Sequence, residues 1–252
     1  MTIATAALLA SCSGAYNIEG NSSVSNLDGE KLYLNVIDED KPVKIDSCDV
    51  VHGKFHFAGP MDSVKMATIV MNNYNIALPL VMENSDKIIV SIDNAQLRVS
   101  GSPLNEKLYK FLDEKSQFDI QRMELTHKHD QAIMNGEDMD EVNRQLNVEA
   151  ADIAMKEDKF LTSFITDNFD NVLSVGAFMI ITSEYPFPHI NPWIEDIMSK
   201  ANDKFKNDPY VKAYYKEALE NEGRLNGVSA APQTEPEPAA QAKAEPEDST
   251  KK

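Results

Sequence analysis

The chain is predicted to be α+β, with a β-domain first and a helical bundle second. Two observations carry that expectation. Apolar residues alternate with a period of two from Tyr16 to about Gly101. From Ser102-Pro103 onward they recur every three or four residues instead. A third observation sets the end apart, because the Ala/Pro/Glu composition from Val228 on has no large apolar side chain to bury. With 252 residues the chain has enough length for a real core.

The strands follow in order. "KLYLNVID" (31–38) alternates Leu32, Leu34 and Val36 against Tyr33 and Asn35. "KFHFAG" (54–59) sets Phe55 and Phe57 on one face and His56 on the other. His52-Gly53 lies between "DVV" and "KFHF" and supplies the permissive glycine of a tight hairpin. "ATIVMN", "ALPLVME" and "KIIVSID" come next, separated by the polar clusters "NNYN" and "ENSDK". Pro79 cannot donate to a ladder, so "ALPLVME" is expected at an edge or to carry a bulge. Strands at this spacing with no helix between them predict an antiparallel sandwich or barrel-like domain, over residues 12–101, with about seven or eight strands.

The helical region is expected over 102–227. Ser102 caps, Pro103 suits the first turn, and Leu104, Leu108, Phe111, Leu112 and Phe118 follow at helical spacing. A second helix is expected from about Glu141 to Asp167, with Val142, Leu146, Ile153, Phe160 and Phe164 in its stripe. "VLSVGAFMII" (172–181) is apolar on most sides and predicts a buried helix. Asn191-Pro192 and Asp208-Pro209 open two more, and Gly223 is expected to stop the last. About five helices result. Residues 228–252 are expected to be a disordered acidic Ala/Pro/Glu tail.

Charge narrows the partners. A formal net charge of −17 argues against nucleic acid, whose phosphates require clustered Lys and Arg. It equally disfavours electrostatic docking on anionic lipid. The two cysteines are Cys12 and Cys48, with no C-x-x-C, which excludes dithiol redox catalysis by this chain alone.

Cys12 closes the apolar run "IATAALLASC" (3–12). The run is too short to span a bilayer, which takes roughly 20 apolar residues. Leu9-Ala10-Ser11-Cys12 resembles the bacterial lipobox, in which the cysteine thiol is diacylated and the preceding peptide is removed. Residues 1–11 are then a signal peptide and Cys12 a lipidation site. No Lys or Arg precedes the run, and Ser13-Gly14-Ala15 carries no acidic cluster of the kind that routes a lipoprotein to the cell surface. The expected location is the cell envelope, lipid-anchored at the periplasmic face of the outer membrane.

Three stretches together point to a family: "YNIEG", "KIDSCDVVHGKFHFAG" and "VSGSPLNEKLYKF". Their pattern resembles an uncharacterised N-terminal β-domain, a domain-of-unknown-function family of Gram-negative envelope proteins. That domain commonly precedes a thioredoxin-like domain in AhpC/TSA-type thiol–disulfide oxidoreductases. "FITDNFDNVLSVGAFMI" is similar to the helical connector lying before the catalytic domain. Here the chain runs on into the Ala/Pro/Glu segment and offers no C-x-x-C onto which catalytic residues could map. The resemblance therefore implies the accessory part alone.

Other chemistry is weakly encoded. His127 and His129 in "THKHD", offered with Asp130 as metal ligands, are two apart, about 200° around a helix, so the two histidines do not share a face, and the i, i+4 zinc spacing is absent. Cys48 with His52 and His56 would be a minimal nucleophile and base, but no third group orients them. "NGEDMDEVNRQ" (135–145) lacks calcium-loop spacing and suits a helix N-terminus. Asp62-Ser63-Val64 is similar to a short O-glycosylation sequon of some bacterial envelopes. Trp193, Tyr210, Tyr214 and Tyr215 fit a bundle core better than a pocket lining. The expectation is a non-enzymatic envelope lipoprotein, a binding or assembly module with no metal or other cofactor. Its partners would be the membrane, through Cys12, and a periplasmic protein. The alternative is a docking partner for a separate periplasmic thioredoxin-like oxidoreductase.

Overall fold

The computed structural model describes residues 14–38, 41–71, 76–84, 87–94 and 96–225. Cys12, the expected signal peptide and the Ala/Pro/Glu segment lie outside them. Eight strands come first: β1 (Gly14–Ser22), β2 (Lys31–Asp38), β3 (Lys41–Asp49), β4 (Lys54–Met61), β5 (Lys65–Met71), β6 (Ile76–Met82), β7 (Ile88–Ile92) and β8 (Leu97–Ser100). They form two four-stranded sheets, ordered β4-β1-β7-β8 and β3-β2-β5-β6. Alternation decides which side chains face inward. Tyr16, Ile18, Phe57 and Val90 from one sheet join Leu32, Leu34, Ile69 and Leu80 from the other in one buried cluster.

The sandwich is not purely antiparallel. β1 and β7 pair in parallel, from Ile18↔Ile88 to Ser22↔Ile92, so the first sheet is mixed. Alternation within a strand fixes its buried face but carries no information about its neighbour. Between β1 and β7 the chain builds the whole second sheet and β4, which makes room for a parallel return.

Two details of the β-domain come straight from residue type. Val51 and Lys54 bridge across a two-residue turn in which both His52 (φ 51°) and Gly53 (φ 69°) are left-handed. Pro79 does lie on an edge strand, since β6 ends the second sheet. The outer side of β6 is met by a helix rather than by water. Asn105 accepts from Val81 N–H at 2.8 Å and donates its amide to Val81 C=O, also at 2.8 Å. Tyr109 Oη donates to Pro79 C=O at 3.1 Å, and Pro79 has no N–H to orphan.

Six helices follow among the described residues: α1 (Pro103–Asn135), α2 (Met139–Thr166), α3 (Val172–Thr182), α4 (Pro192–Lys200), α5 (Asp203–Lys206) and α6 (Pro209–Leu225). Ser102 caps α1 through Asn105 N–H, Asp138 caps α2, and Asn171 and Asn191 cap α3 and α4. Gly136, left-handed at φ 71°, closes α1. Gly223 does not stop the last helix, which runs through it to Leu225. A helix interior tolerates glycine at a cost of about 1 kcal/mol relative to alanine, and no proline follows at once to enforce the stop.

The first half of α1 packs on the sheets and on the end of α2, and its second half continues beside α2 as a long hairpin. Phe111 stacks on Phe164 at 4.2 Å, and Arg122 of α1 pairs with Glu157 of α2. Lys115 is buried and is neutralised by Glu184 at 2.7 Å and Asp119 at 3.5 Å. Phe178 of α3 sits at the bundle centre, ringed by Trp193, Phe205 and Tyr214.

Candidate functional site

β5 carries the signal that leads to the site. In "KMATIVM" the inward positions are Ala67, Ile69 and Met71, but the outward ones include Met66 and Val70. A strand apolar on both faces needs a cover on its outer side. α3 supplies it. The fit is close at Gly176, where an added Cβ would stand 2.6 Å from Met66 Sδ. A smooth helix face at that position lets the thioether lie against the backbone.

The cover is incomplete and leaves a two-lobed groove between the outer face of the second sheet and the bundle. One lobe, about 210 Å³, runs under α3 toward the start of α6 and is walled by Ile37, Val175 and Tyr210. The other, about 170 Å³, runs along the sheet and is walled by Asn35, Thr68 and Ile180. Ile37, Met66 and Met179 line both. Two flexible thioethers at the junction give an adaptable apolar floor.

Its polar groups are few. Asn35 Oδ1 is buried with no hydrogen-bond partner among the described residues. Asn35 lies between the inward-facing Leu34 and Val36, so strand alternation sets its side chain on the outer face. Asp208 lies at the other end and accepts from the N–H groups of Tyr210 and Val211 at 3.0 and 3.3 Å. Burial raises its carboxyl above the usual range against those two bonds. Tyr210 Oη pairs with Thr182 Oγ1 at 3.0 Å, and burial raises that phenol too. Lys204 reaches the Asp170 carbonyl and Lys65 pairs with Asp62, so the two cations stand at the rim. An apolar trough with one unmet acceptor is suited to holding a ligand that brings a single N–H or O–H donor.

The sequence candidates are scattered around this groove. Cys48 sits half-buried on β3, and its thiol is pushed up to about 11, chiefly by burial. A neutral thiol is a poor nucleophile. His52 is spent on the turn, and His56 Nε2 bonds Asn17 Oδ1 at 2.9 Å. His127 and His129 stand on the distal part of α1. Among the described residues no three His, Cys, Asp or Glu side chains gather closely enough to hold a metal. The 135–145 segment is the hairpin tip, where Asp138 accepts from Asp140 and Glu141 N–H. Asp62-Ser63-Val64 is an exposed turn between β4 and β5. Trp193 and Tyr214 are core, as their spacing suggested, but Tyr210 lines the groove. Cys12 lies outside the described residues.

Sequence reasoning missed Met66, Gly176 and Met179. The signals were present in the two-sided apolarity of β5 and in a glycine set inside the most apolar helix. Their partnership spans more than a hundred residues and is invisible to periodicity.

No described helix is long and apolar enough to cross a membrane. No curated protein and no solved structure matches the chain. Residues 16–108, from Tyr16 in β1 past the Ser102–Asn105 junction into α1, match the family described as "Domain of unknown function (DUF4369)", so the chain carries an N-terminal domain similar to that uncharacterised family.

Proposed function

We propose that this chain is a non-catalytic binding module of the cell envelope, anchored by lipid on Cys12 at the periplasmic face of the outer membrane. The groove beneath α3 is its ligand site. The observation that carries the reading is the unmet Asn35 Oδ1 in a largely apolar trough, which favours a linear apolar ligand with one hydrogen-bond donor. The raised Cys48 thiol supports a role without thiol chemistry. Titration with the apolar dye N-phenyl-1-naphthylamine tests the site. Saturable binding is expected, weakened at least tenfold by Met179→Trp, which fills the junction of the lobes. Undiminished binding in that variant would remove the groove from consideration, and insulin reduction by the purified chain would overturn the non-catalytic reading. Intact-mass analysis of the native N-terminus tests the anchor separately; an unprocessed, unacylated Met1 end would end it.

A second reading is favoured by the far end of the bundle. The buried stripe of α6, Val211, Tyr214 and Ala218, continues to Leu225, which is 76% exposed, and Phe187 stands half-exposed nearby, in the loop whose Pro188 carbonyl accepts from Asn221. That apolar end suits docking to a separate thioredoxin-like oxidoreductase. Co-purification from envelope fractions tests it, and failure to recover any thioredoxin-fold protein would count decisively against it.

A further inference from the structure

The second opening of the molecule lies between the two sheets, at the end where the chain enters. Its volume is about 430 Å³. Tyr16 and Met61 line it from the first sheet, and Val36, Ile45 and Met82 from the second. Asp62 and Lys65, paired at 2.9 Å, mark the rim. A bulge keeps the mouth open. Leu34 pairs with Asp46 and Asn35 with Lys44, which leaves Ile45 as the extra residue of β3, 43% exposed although apolar. Next to it Tyr16 Oη donates to Asp46 Oδ2 at 3.2 Å and ties one sheet to the other.

The position of the chain's entry decides the occupant. Gly14, the first described residue, pairs with Met61 in the wall of the mouth, and Tyr16 follows two residues later. Cys12 is two residues before Gly14, within roughly 7 Å of backbone. A group attached to Cys12 is therefore held beside the opening at an effective concentration on the order of millimolar.

We propose that the mouth of the sandwich is the seat for an acyl chain carried on Cys12, occupied whenever the protein is in water rather than in a bilayer. The inference rests on the lipid-anchor reading. Two methionines and an unsatisfied isoleucine present a flexible apolar lining of the kind that takes a linear chain in more than one pose. One chain fits. The others carried by a lipoprotein remain available to a membrane or to a carrier, so the seat lowers the apolar surface exposed during transit without preventing insertion.

The test uses the full chain, labelled in cells with a diazirine-bearing palmitate and purified in detergent. Intact mass is read first. Absence of an acyl group on Cys12 removes both the anchor reading and this inference. With acylation confirmed, the detergent is withdrawn, the sample is irradiated, and cross-linked peptides are mapped. The expected result is attachment to peptides containing Ile45, Met61 or Met82, reduced at least fivefold by Ile45→Arg. Ile45 is an exposed edge residue, so folding of that variant is checked by its circular dichroism. Cross-links spread over the surface, confined to the groove beneath α3 or to co-purified lipid, or unchanged in Ile45→Arg, overturn the seat while leaving the anchor intact.

Discussion

His52 holds a backbone conformation that costs an ordinary residue about 1–2 kcal/mol, and it holds it only because the two-residue turn demands positive φ at both positions. His52→Asn is expected to raise the unfolding free energy by about 0.5–1 kcal/mol, read from urea melts, since Asn tolerates the left-handed region. Gly53→Ala should lower it by about 1–2 kcal/mol or more, because the added Cβ also meets Ser22 O at 2.5 Å. Cys48 gives a kinetic prediction. With its thiol raised from 9.0 to about 11, the thiolate fraction at neutral pH is about 100-fold below that of an ordinary cysteine, and alkylation by iodoacetamide should slow by about that factor. The sign is fixed: the rate climbs roughly tenfold per pH unit and levels only near the raised value. A rate equal to that of free cysteine at pH 7.5 would show the side chain to be far less shielded. Trp193, the chain's one tryptophan, stacks on Phe178 but leaves Nε1 without a partner. Trp193→Phe should stay within about 1 kcal/mol of wild type, whereas Trp193→Ala should cost about 3–5 kcal/mol.

The elements show what patterning conveys and what it omits. Strand alternation revealed the inward faces of β2 and β4, and the Ser-Pro and Asn-Pro pairs marked where α1 and α4 begin. The parallel partner of β1 was not legible, because Ile18 and Ile88 each look the same whichever strand lies beside them. Nor was the continuation of α6 past Gly223, which depends on helix context rather than on the glycine alone. The groove was half legible: Met66 and Val70 announce that β5 is covered, but only the fold identifies Gly176 and Met179 as the cover. The clamp between Asn105 and Val81 belongs to the same class, a polar residue in a helix whose purpose is set by an edge strand 24 positions away. Asn105→Ala leaves a buried N–H and C=O unmet, and the expected loss is about 2–4 kcal/mol by chemical denaturation. Asn105→Asp should not rescue it, since a carboxylate cannot donate to Val81 C=O.

For the molecule as a whole, the sheets, the bundle and the terminal segment are expected to differ in what they contribute. Deleting residues 229–252 should leave the thermal midpoint unchanged, within the roughly ±0.5 kcal/mol of surface changes, because that segment has no large apolar side chain to add to the core. A clear fall in the midpoint would place the segment on the bundle. Trp193 reports on the bundle alone, so its fluorescence compared with far-ultraviolet dichroism tells whether bundle and sheets melt together. One buried cluster extends through both, and coincident transitions are expected. The pairing of α1 with β6 has a consequence for how such a molecule fails. An amide side chain there imitates a neighbouring peptide group, so α1 occupies the place a strand from another copy would otherwise take. Once that imitation is lost, the freed strand is a template, and damage that begins as a local loosening grows with concentration into assembly. The lifetime of this protein at high concentration is then governed by one asparagine in the first turn of a helix more than by the size of its core.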